Sequence, residues 1–213
     1  MGELQNNLTE LLNSVGTLTD GALSYPRVED VAASGLKDEI ERVYRSLGGV
    51  LQVIPLNLCS WDIKWNGMAI ELDECLHFNR YRSLTLKSGS YGLLRAFPLP
   101  DYLDFCTKYE DKCLRAGSYG KKWSSPSAEA QFGDASQPGD LVGNGSPRWK
   151  QRAFYDFVKD LSPLLINVTV VRVSVWDTVV ESGRRRTVVD VLKSPSDASP
   201  DALAALIQKR VAG

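Results

Sequence analysis

A short acidic stretch on both sides of a tight turn contains the residues of this chain best suited to chemistry. Asp62 precedes the dipeptide Asn66-Gly67, and Glu71-Leu-Asp73 follows it, with His77 four residues beyond Asp73. Asn-Gly between two runs of alternating apolar residues predicts a β-hairpin. Because side chains alternate along a strand, Glu71 and Asp73 share one face, and the hairpin brings Asp62 back toward them. The pattern therefore predicts three carboxylates that converge on one spot.

Carboxylates that lie close together repel one another, so a cation between them is expected. Ligation by oxygen atoms alone favours Mg²⁺ or Mn²⁺, and we predict a metal site formed by Asp62, Glu71 and Asp73. Lys64 shares the Asp62 face of the first strand. Histidine side chains titrate near neutral pH, which suits His77 to general acid or base catalysis. The alternative for these residues is an ordinary solvated strand face.

The composition of the chain is that of an ordinary globular protein. Its 213 residues are 43% hydrophobic and 24% charged, and its formal net charge is −1. This length suffices for one large domain. The near-zero net charge means that any contact with nucleic acid would depend on local basic patches. No apolar run approaches the length of a membrane span, and the first residues lack the pattern of a signal peptide, so we expect no membrane partner.

The cysteines and the single histidine argue against a structural zinc site. Cys59, Cys75, Cys106 and Cys113 include no Cys-x-x-Cys pair, and His77 is the one histidine of the chain. We therefore expect reduced thiols, most of them buried, in a cytoplasmic protein.

Hydrophobic periodicity predicts an alternation of helices and strands. Helices are expected over 3–16, 34–47, 102–116, 148–165 and 201–211. Strands are expected over 50–58, in the hairpin around Asn66-Gly67, over the β-branched run 168–176, and in a hairpin around Ser182-Gly183. Residues 117–147 are rich in Gly, Ser and Pro and predict a long loop, which its length makes a candidate for gating substrate access.

The element order and several motifs resemble the PD-(D/E)XK nuclease superfamily, and within it the proteins related to very-short-patch-repair endonucleases. Those proteins carry an Asp on one strand, E-[IL]-D-x-x-x-H on the next, a helix with an Arg and an Asp, and a closing strand reading V-[LV]-R-[FV]. Here Asp62 matches the first element, and Glu71-Leu-Asp73 with His77 matches the second without a gap. Lys150-Gln-Arg152 opens the helix, and Val170-Val-Arg-Val173 resembles the closing strand. The resemblance covers roughly residues 34–78 and 148–176.

Two features of the chain set it apart within this superfamily. The usual catalytic lysine would stand where this chain has Asp73, so Lys64 is the candidate to replace it. Gln151-Arg-Ala-Phe-Tyr155 resembles the Q-x-x-x-Y helix of exonuclease-type members, in which the glutamine and the tyrosine contact substrate near the scissile phosphate. Packing is the alternative role for Gln151 and Tyr155.

The resemblance implies an α/β fold with a restriction-endonuclease-like core, in which helices flank a central mixed sheet. The nuclease-like domain would span 34–194, with an inserted helix and long loop over about 79–147. Residues 1–33 would form an N-terminal helix and connector, and 195–213 a C-terminal helix.

The implied activity is metal-dependent hydrolysis of phosphodiester bonds, with DNA as the expected substrate. Asp62, Glu71 and Asp73 would hold Mg²⁺ or Mn²⁺, which activates water and screens the phosphate. His77 and Lys64 would complete the catalytic group. Substrate contacts are expected from the helix that follows the long loop and from the arginine cluster after the second hairpin. These residues are Lys150, Gln151, Arg152, Tyr155, Arg184, Arg185 and Arg186.

Two other functions stay open. A catalytically degenerate nuclease-like module would bind nucleic acid or a protein without cutting, and the missing lysine favours it. It predicts carboxylates that are splayed or paired with Arg and Lys. A small-molecule enzyme has little support, because the chain has no P-loop, G-x-G-x-x-G or G-x-S-x-G motif. The sequence does not distinguish DNA from RNA, exonuclease from endonuclease, or a monomer from a homodimer or a larger repair or defence assembly.

Overall fold

A small mixed β-sheet lies between two groups of helices in the computed structural model of the protein, which describes residues 2 to 212. Strands β1 (Ile63–Trp65) and β2 (Met68–Asp73) form an antiparallel hairpin, and β3 (Val170–Ser174) pairs parallel to β2. Strands β4 (Thr178–Glu181) and β5 (Arg184–Thr187) form a separate antiparallel hairpin. The predicted α/β class and the mixed sheet flanked by helices are therefore confirmed.

Both hairpins turn at the dipeptides that the sequence indicated. Asn66 and Gly67 have φ angles of +49° and +76°, and Ser182 and Gly183 have φ angles of +48° and +79°. Two successive residues in the left-handed region are what a tight two-residue hairpin turn requires. The register that follows pairs Ile63 with Ile70.

Helices make up most of the remaining chain. In chain order they are α1 (Glu3–Asn13), α2 (Val28–Ala33), α3 (Lys37–Ser46), α4 (Arg80–Thr85), α5 (Leu99–Lys108), α6 (Glu110–Gly117), α7 (Gly120–Trp123), α8 (Pro126–Phe132), α9 (Pro147–Asp160), α10 (Ser162–Leu165), α11 (Val188–Lys193) and α12 (Ser199–Ala212). Short 3₁₀ turns occupy Cys75–His77 and Gly89–Leu93. Within residues 2 to 212, none of the helices has the length and apolar character needed to cross a membrane.

The two faces of the three-stranded sheet differ in chemistry. One face is apolar and packs against α1, α11 and α12. Its strand residues are Ile63, Trp65, Ile70, Leu72, Val171 and Val173. The other face carries Glu71, Asp73 and Arg172, and these side chains point to α9. The alternation of side chains along β2 and β3 thus directs charged groups into the interior between the sheet and α9.

Helix α9 is the central element on the charged side of the sheet. Its N-terminus carries two ordinary start signals, since the Ser146 hydroxyl accepts a hydrogen bond from the Trp149 N–H and Pro147 occupies the first turn. Trp149, Phe154 and Phe157 are fully buried in the larger hydrophobic cluster, which α3, α4 and α8 share. The predicted helix is confirmed, although it ends at Asp160 and is followed by the short α10.

Residues 50–58 do not form the predicted strand. Val50 and Val53 are 58% and 79% exposed, although Leu58 is buried in the larger hydrophobic cluster, so the segment contributes to the core without pairing in a sheet. The Val50 N–H donates to the Gln131 carbonyl outside any sheet, and Pro55 has no N–H to donate. The sheet of the described residues consequently has one strand fewer than the superfamily resemblance implied.

The segment 117–147 is not the continuous loop that its composition suggested. It contains α7 and α8, and α8 packs against α9 with Ala128 and Phe132 buried. The Ser125 hydroxyl caps α8 and Pro126 opens it, which is a helix start signal inside a Ser- and Pro-rich stretch. Gating of substrate by this segment stays a prediction.

Smaller differences concern boundaries and cysteines. The helix expected over 102–116 is divided at Tyr109 into α5 and α6, and the one expected from residue 34 begins at Lys37. Helix α1 contacts β1, α11 and α12, while the three-part division of the chain stays a prediction. The four cysteines are unpaired; two are buried, one is half-buried and Cys59 is exposed.

Gly67 allows a test of the claim that the first hairpin turn requires a left-handed backbone conformation. A β-carbon at Gly67 or at Gly89 would meet no atom within 4 Å, but Gly67 has a φ of +76° and Gly89 has no such constraint. We expect Gly67→Ala to lower the free energy of unfolding by about 1 kcal/mol, because an L-residue is strained in this region. Gly89→Ala should be neutral or slightly stabilising. Urea unfolding of both variants checks this, and equal effects would contradict it.

Candidate functional site

A cleft of about 620 Å³ opens at the carboxyl end of β2. Its walls are the chain before β1, the end of β2 with the following 3₁₀ turn, the α7–α8 segment, and α9. The charged residues that line it are Asp62, Glu71, Glu74, His77, Lys122, Arg148, Arg152, Asp156 and Lys159. Acidic and basic groups therefore face the same space, which is the arrangement needed to bind both a metal ion and a phosphate.

Asp62 and Glu71 lie side by side on one wall. The Asp62 N–H lies 3.2 Å from Glu71 Oε1, and the Leu72 N–H donates to Asp62 Oδ2 at 3.0 Å. Lys159 on α9 donates from Nζ to the same Glu71 Oε1 at 2.8 Å. Two carboxylates and one ammonium thus meet at the inner end of the cleft.

Burial dominates the protonation of both carboxyl groups. It raises the pKa of Glu71 to about 7, although Arg172 and Lys159 oppose the shift. Burial also raises the pKa of Asp62, against the hydrogen bond from the Leu72 N–H and the charge of Lys159. The positive charges near Asp62 and Glu71 therefore do not fully offset the cost of burying these two carboxylates.

Behind this wall lies a buried ionic network centred on Arg172. Its Nη1 donates to Asp73 Oδ1 at 2.7 Å and to Asp156 Oδ1 at 3.2 Å, and its Nε donates to Asp160 Oδ1 at 2.7 Å. The same Nη1 lies 3.8 Å from Glu71 Oε2. One guanidinium thus contacts carboxylates from both β2 and α9, where an unpaired charge would be very unfavourable.

A second arginine completes the network on its far side. Arg82 Nη2 and the Tyr91 hydroxyl both donate to Asp160 Oδ2 at 2.6 Å. Tyr102 donates to Asp73 Oδ2 at 2.8 Å. These bonds leave Asp73 and Asp160 saturated with donors inside the protein, so neither is arranged to bind a ligand in the cleft.

His77 lies between the network and the cleft. Its Nδ1 is 2.9 Å from Asp156 Oδ2 and 3.1 Å from Asp73 Oδ1. Burial acts to raise the pKa of Asp156, but Arg172 and His77 outweigh it and hold that pKa well below its ordinary value. Because an ionised carboxylate can only accept, Nδ1 carries the proton in this contact, and Nε2 is the ring nitrogen left for chemistry.

Two sets of residues could hold a metal ion. The ligand atoms of Asp73, His77 and Asp156 lie within 4.8 Å of one another. Arg172 Nη1 already donates to one oxygen of Asp73 and to one oxygen of Asp156, Oδ1 in both. The predicted trio of Asp62, Glu71 and Asp73 does not form such a group in the described part of the chain. Asp62 and Glu71 remain as a pair that faces the cleft.

The other predicted site residues divide into two groups. Gln151, Arg152 and Tyr155 line the cleft with Asp62, Glu71 and His77. Lys64 does not, because its Nζ donates to the Gly21 carbonyl at 2.7 Å, and Lys150 is turned to Asn144 at 2.5 Å. The arginine cluster lies on β5, where Arg184 and Arg185 are exposed and Arg186 pairs with Glu181. The structure therefore brings six of the predicted residues together in the cleft.

Sequence reasoning missed Asp156, Lys159, Arg172 and Arg148. Arg172 interrupts a run of β-branched residues, and Asp156 and Lys159 lie on the buried side of α9. A charged residue inside an otherwise apolar element was the available signal. It did not show which partner each charge would meet, because the partners lie far away in the chain.

Comparison with known proteins adds one finding. Residues 42–194 match the model of a family of unknown function, DUF7255. The chain belongs to the DUF7255 family. The matched region contains every residue that lines the cleft except Gln5. Comparisons with curated proteins and with solved structures give no match.

Removal of Arg172 should be strongly destabilising. Arg172→Met leaves the Asp73, Asp156 and Asp160 carboxylates buried without their shared cation, and breaking a buried ionic network of this kind costs about 3–5 kcal/mol. Chemical denaturation checks this. The control is Arg42→Met, which removes an exposed arginine paired with Glu39 and should change stability little. A loss below about 1 kcal/mol in Arg172→Met would contradict the central role of this guanidinium.

Glu71→Gln should reveal the raised pKa of Glu71 as a pH-dependent difference in stability. The folded-state pKa of about 7 exceeds the ordinary 4.5, so the contribution of Glu71 to stability is fully present below pH 4.5 and is lost as pH rises through 7. The glutamine side chain does not titrate, so the variant does not lose stability in this way as pH rises. The free energy of unfolding of the variant, minus that of the wild type, should therefore rise by roughly 2 to 3 kcal/mol from pH 5 to pH 8.

Glu39→Gln is a control of opposite sign when the pH series is extended below pH 4.5. Its hydrogen bond from Arg42 leads the causes that lower the pKa of Glu39 below 4.5. The stabilisation from Glu39 is therefore present above pH 4.5 and is lost as the pH falls. The free energy of unfolding of Glu39→Gln, minus that of the wild type, should therefore fall as pH rises. A difference for Glu71→Gln that does not change with pH would contradict the raised pKa of Glu71.

Proposed function

We propose that this protein is a metal-dependent nuclease that hydrolyses phosphodiester bonds in DNA, with Mg²⁺ or Mn²⁺ as its metal ion. The observation that carries the proposal is the meeting of the Asp62 and Glu71 carboxylates with the Lys159 ammonium in the cleft. Carboxylates beside a cation, facing a cleft with further basic residues, suit a reaction in which negative charge develops on a phosphate.

The donor set at Asp62 and Glu71 fits a divalent cation of this type. Among the hydrogen bonds of residues 2 to 212, none reaches Asp62 Oδ1, and Glu71 Oε2 has a guanidinium nitrogen no nearer than 3.8 Å. Oxygen-only ligands match the preference of Mg²⁺ and Mn²⁺. When bound, the ion would lower the pKa of a water ligand and screen charge on the phosphate.

Lys159 supports the resemblance to the PD-(D/E)XK superfamily. The superfamily pattern places a lysine where this chain has Asp73, and Lys159 brings an ammonium to the neighbouring Glu71 from α9. Its Nζ would hold a phosphate oxygen or the attacking water at the inner end of the cleft. The order of α3, the β1–β2 hairpin, α9 and the parallel β3 also supports a restriction-endonuclease-like core.

His77 would move the proton. Because Asp156 accepts from Nδ1 and Asp73 Oδ1 lies 3.1 Å from the same atom, the ring is held in one orientation, and Nε2 would take a proton from water or give one to the leaving oxygen. Asp156 is a positioning residue in this scheme. Arg148 and Arg152 on α9 would hold phosphates on either side of the reacting bond.

A second candidate is a nuclease-like module that binds nucleic acid or a protein without cutting it. The pairing of Glu71 with Lys159 and of Asp73 with Arg172 favours this candidate, because paired carboxylates have less need of a metal ion. The cleft, its basic residues and the fold would then serve binding alone.

Cleavage assays separate the two candidates. We would incubate single- and double-stranded DNA and RNA with the wild type, Glu71→Gln and Lys159→Met, in Mg²⁺, Mn²⁺ or EDTA. The nuclease proposal predicts metal-dependent cutting that falls by about 100-fold or more in both variants. Glu41→Gln, at an exposed position of α3, is the matched control and should cut like the wild type.

The outcomes lead to different conclusions. Cutting that is lost in both site variants and retained in the control would support the nuclease and its use of Glu71 and Lys159. Binding without cutting in any metal would favour the second candidate. Cutting that persists in Glu71→Gln and Lys159→Met would reject this cleft as the active site.

A further inference from the structure

A ridge of exposed basic side chains leads away from the cleft along α6. We call Lys108, Lys112 and Arg115 the basic ridge, and all three are exposed. Lys112 and Arg115 are three residues apart on α6 and therefore share a helix face. Lys108, the last residue of α5, lies next to Lys112 across the Tyr109 ring. The Nζ atoms of Lys108 and Lys112 are 5.4 Å and 5.0 Å from the centroid of that ring.

One end of the basic ridge adjoins the cleft. Ala116 of α6 lines the cleft, as does Cys75. Burial raises the pKa of the Cys75 thiol, and the charges of Lys112 and Arg115 oppose that rise. Both cations therefore lie close enough to the cleft wall to act on a group inside it.

The other end opens into a second groove of about 610 Å³, which Arg95, Lys108, Tyr109, Trp176 and Lys209 help to line. Tyr109 and Trp176 stack with their ring centroids 4.0 Å apart, and Lys112 Nζ lies 4.5 Å from the Trp176 ring. The ridge therefore joins the cleft to a groove that is both aromatic and basic.

In the part of the chain that the structure describes, the three ridge cations form no ion pairs, although the exposed Asp104 and Asp111 stand one helical turn from Lys108 and Arg115. Within residues 2 to 212, no carboxylate lies within salt-bridge distance of Lys108, Lys112 or Arg115. Aromatic rings hold two of these cations in place, and a ring attracts a cation without neutralising it. Asp101 and Asp177 also line the groove, but Asp177 is already paired with Arg210 at 2.7 Å.

We propose that the basic ridge and its groove form a track for the phosphate backbone of the nucleic-acid strand whose reacting bond lies in the cleft. This inference rests on the proposed function, and it adds a binding surface for the strand outside the cleft. Within α6 the chain rises roughly 9 Å from Glu110 to Ala116, at about 1.5 Å per residue. At ~3.4 Å of duplex axis per nucleotide of one strand, this length spans about two to three phosphates.

The test compares two triple variants of the full-length protein. The ridge variant carries Lys108→Gln, Lys112→Gln and Arg115→Gln. The control carries Lys37→Gln, Arg42→Gln and Arg45→Gln, which removes the same charge from exposed positions of α3 that line neither the cleft nor the groove. Binding of a fluorescent single-stranded DNA of about 20 nucleotides is measured in EDTA over a series of salt concentrations.

The ridge variant should bind about tenfold more weakly at ~0.1 M salt, and the slope of log affinity against log salt should become shallower by about 2. The control should retain the wild-type affinity and slope. Equal weakening of both variants, no weakening of either, or no binding by the wild type would each overturn the proposal. A polyglutamate peptide is the second probe, and binding of it with the same dependence on the ridge would overturn the assignment to nucleic acid.

A small phosphodiester keeps this test separate from that of the nuclease. Bis(4-nitrophenyl) phosphate has one phosphodiester and no polymer backbone for the ridge to hold, so its metal-dependent hydrolysis should be equal in the wild type and the ridge variant. Ridge-dependent DNA binding without hydrolysis of either substrate would support the track and reject the nuclease. Hydrolysis of bis(4-nitrophenyl) phosphate, together with DNA binding that is unchanged in the ridge variant, would support the nuclease and reject the track.

Discussion

The buried guanidinium of Arg172 joins the parts of the molecule that must meet for the cleft to exist. It extends from β3 and contacts Asp73 on β2 together with Asp156 and Asp160 on α9. Each of these carboxylates would be strongly unfavourable in the interior without it. The network is satisfied only when β2, β3 and α9 take their native positions together, so it couples the parallel strand pairing to the docking of the helix.

This coupling gives neighbouring carboxylates different tasks. Asp73 and Asp160 are saturated by arginine and tyrosine donors and hold the interior together. Arg172 keeps Asp156 ionised, while burial leaves Glu71 with a pKa of about 7. Residues two positions apart on β2 thus face the same side of the sheet but meet different environments, one inside the network and one at the cleft.

The segment between β2 and α9 supplies much of what surrounds the cleft. Helices α7 and α8 form its opposite wall, and α6 carries the basic ridge along its outer side. A net charge of −1 for the whole chain does not describe this surface, because Lys112 and Arg115 are exposed and Glu110 of the same helix pairs with Arg80 instead. Local separation of charge is therefore a better guide to an anionic partner here than net charge is.

The sequence by itself determined the features that depend on neighbouring residues. The Asn66-Gly67 turn, the pairing of faces that places Asp62 beside Glu71, the start of α9 and the buried strand around Arg172 all follow from local backbone preferences and periodicity. Local patterns failed at residues 50–58 and 117–147, where composition did not reveal what would be buried. Only the tertiary structure decided the partners of the charges: Lys159 meets Glu71 across 88 residues, and Arg172 meets Asp73 across 99. Such contacts depend on how distant elements pack, and periodicity of two or 3.6 residues contains no information about that.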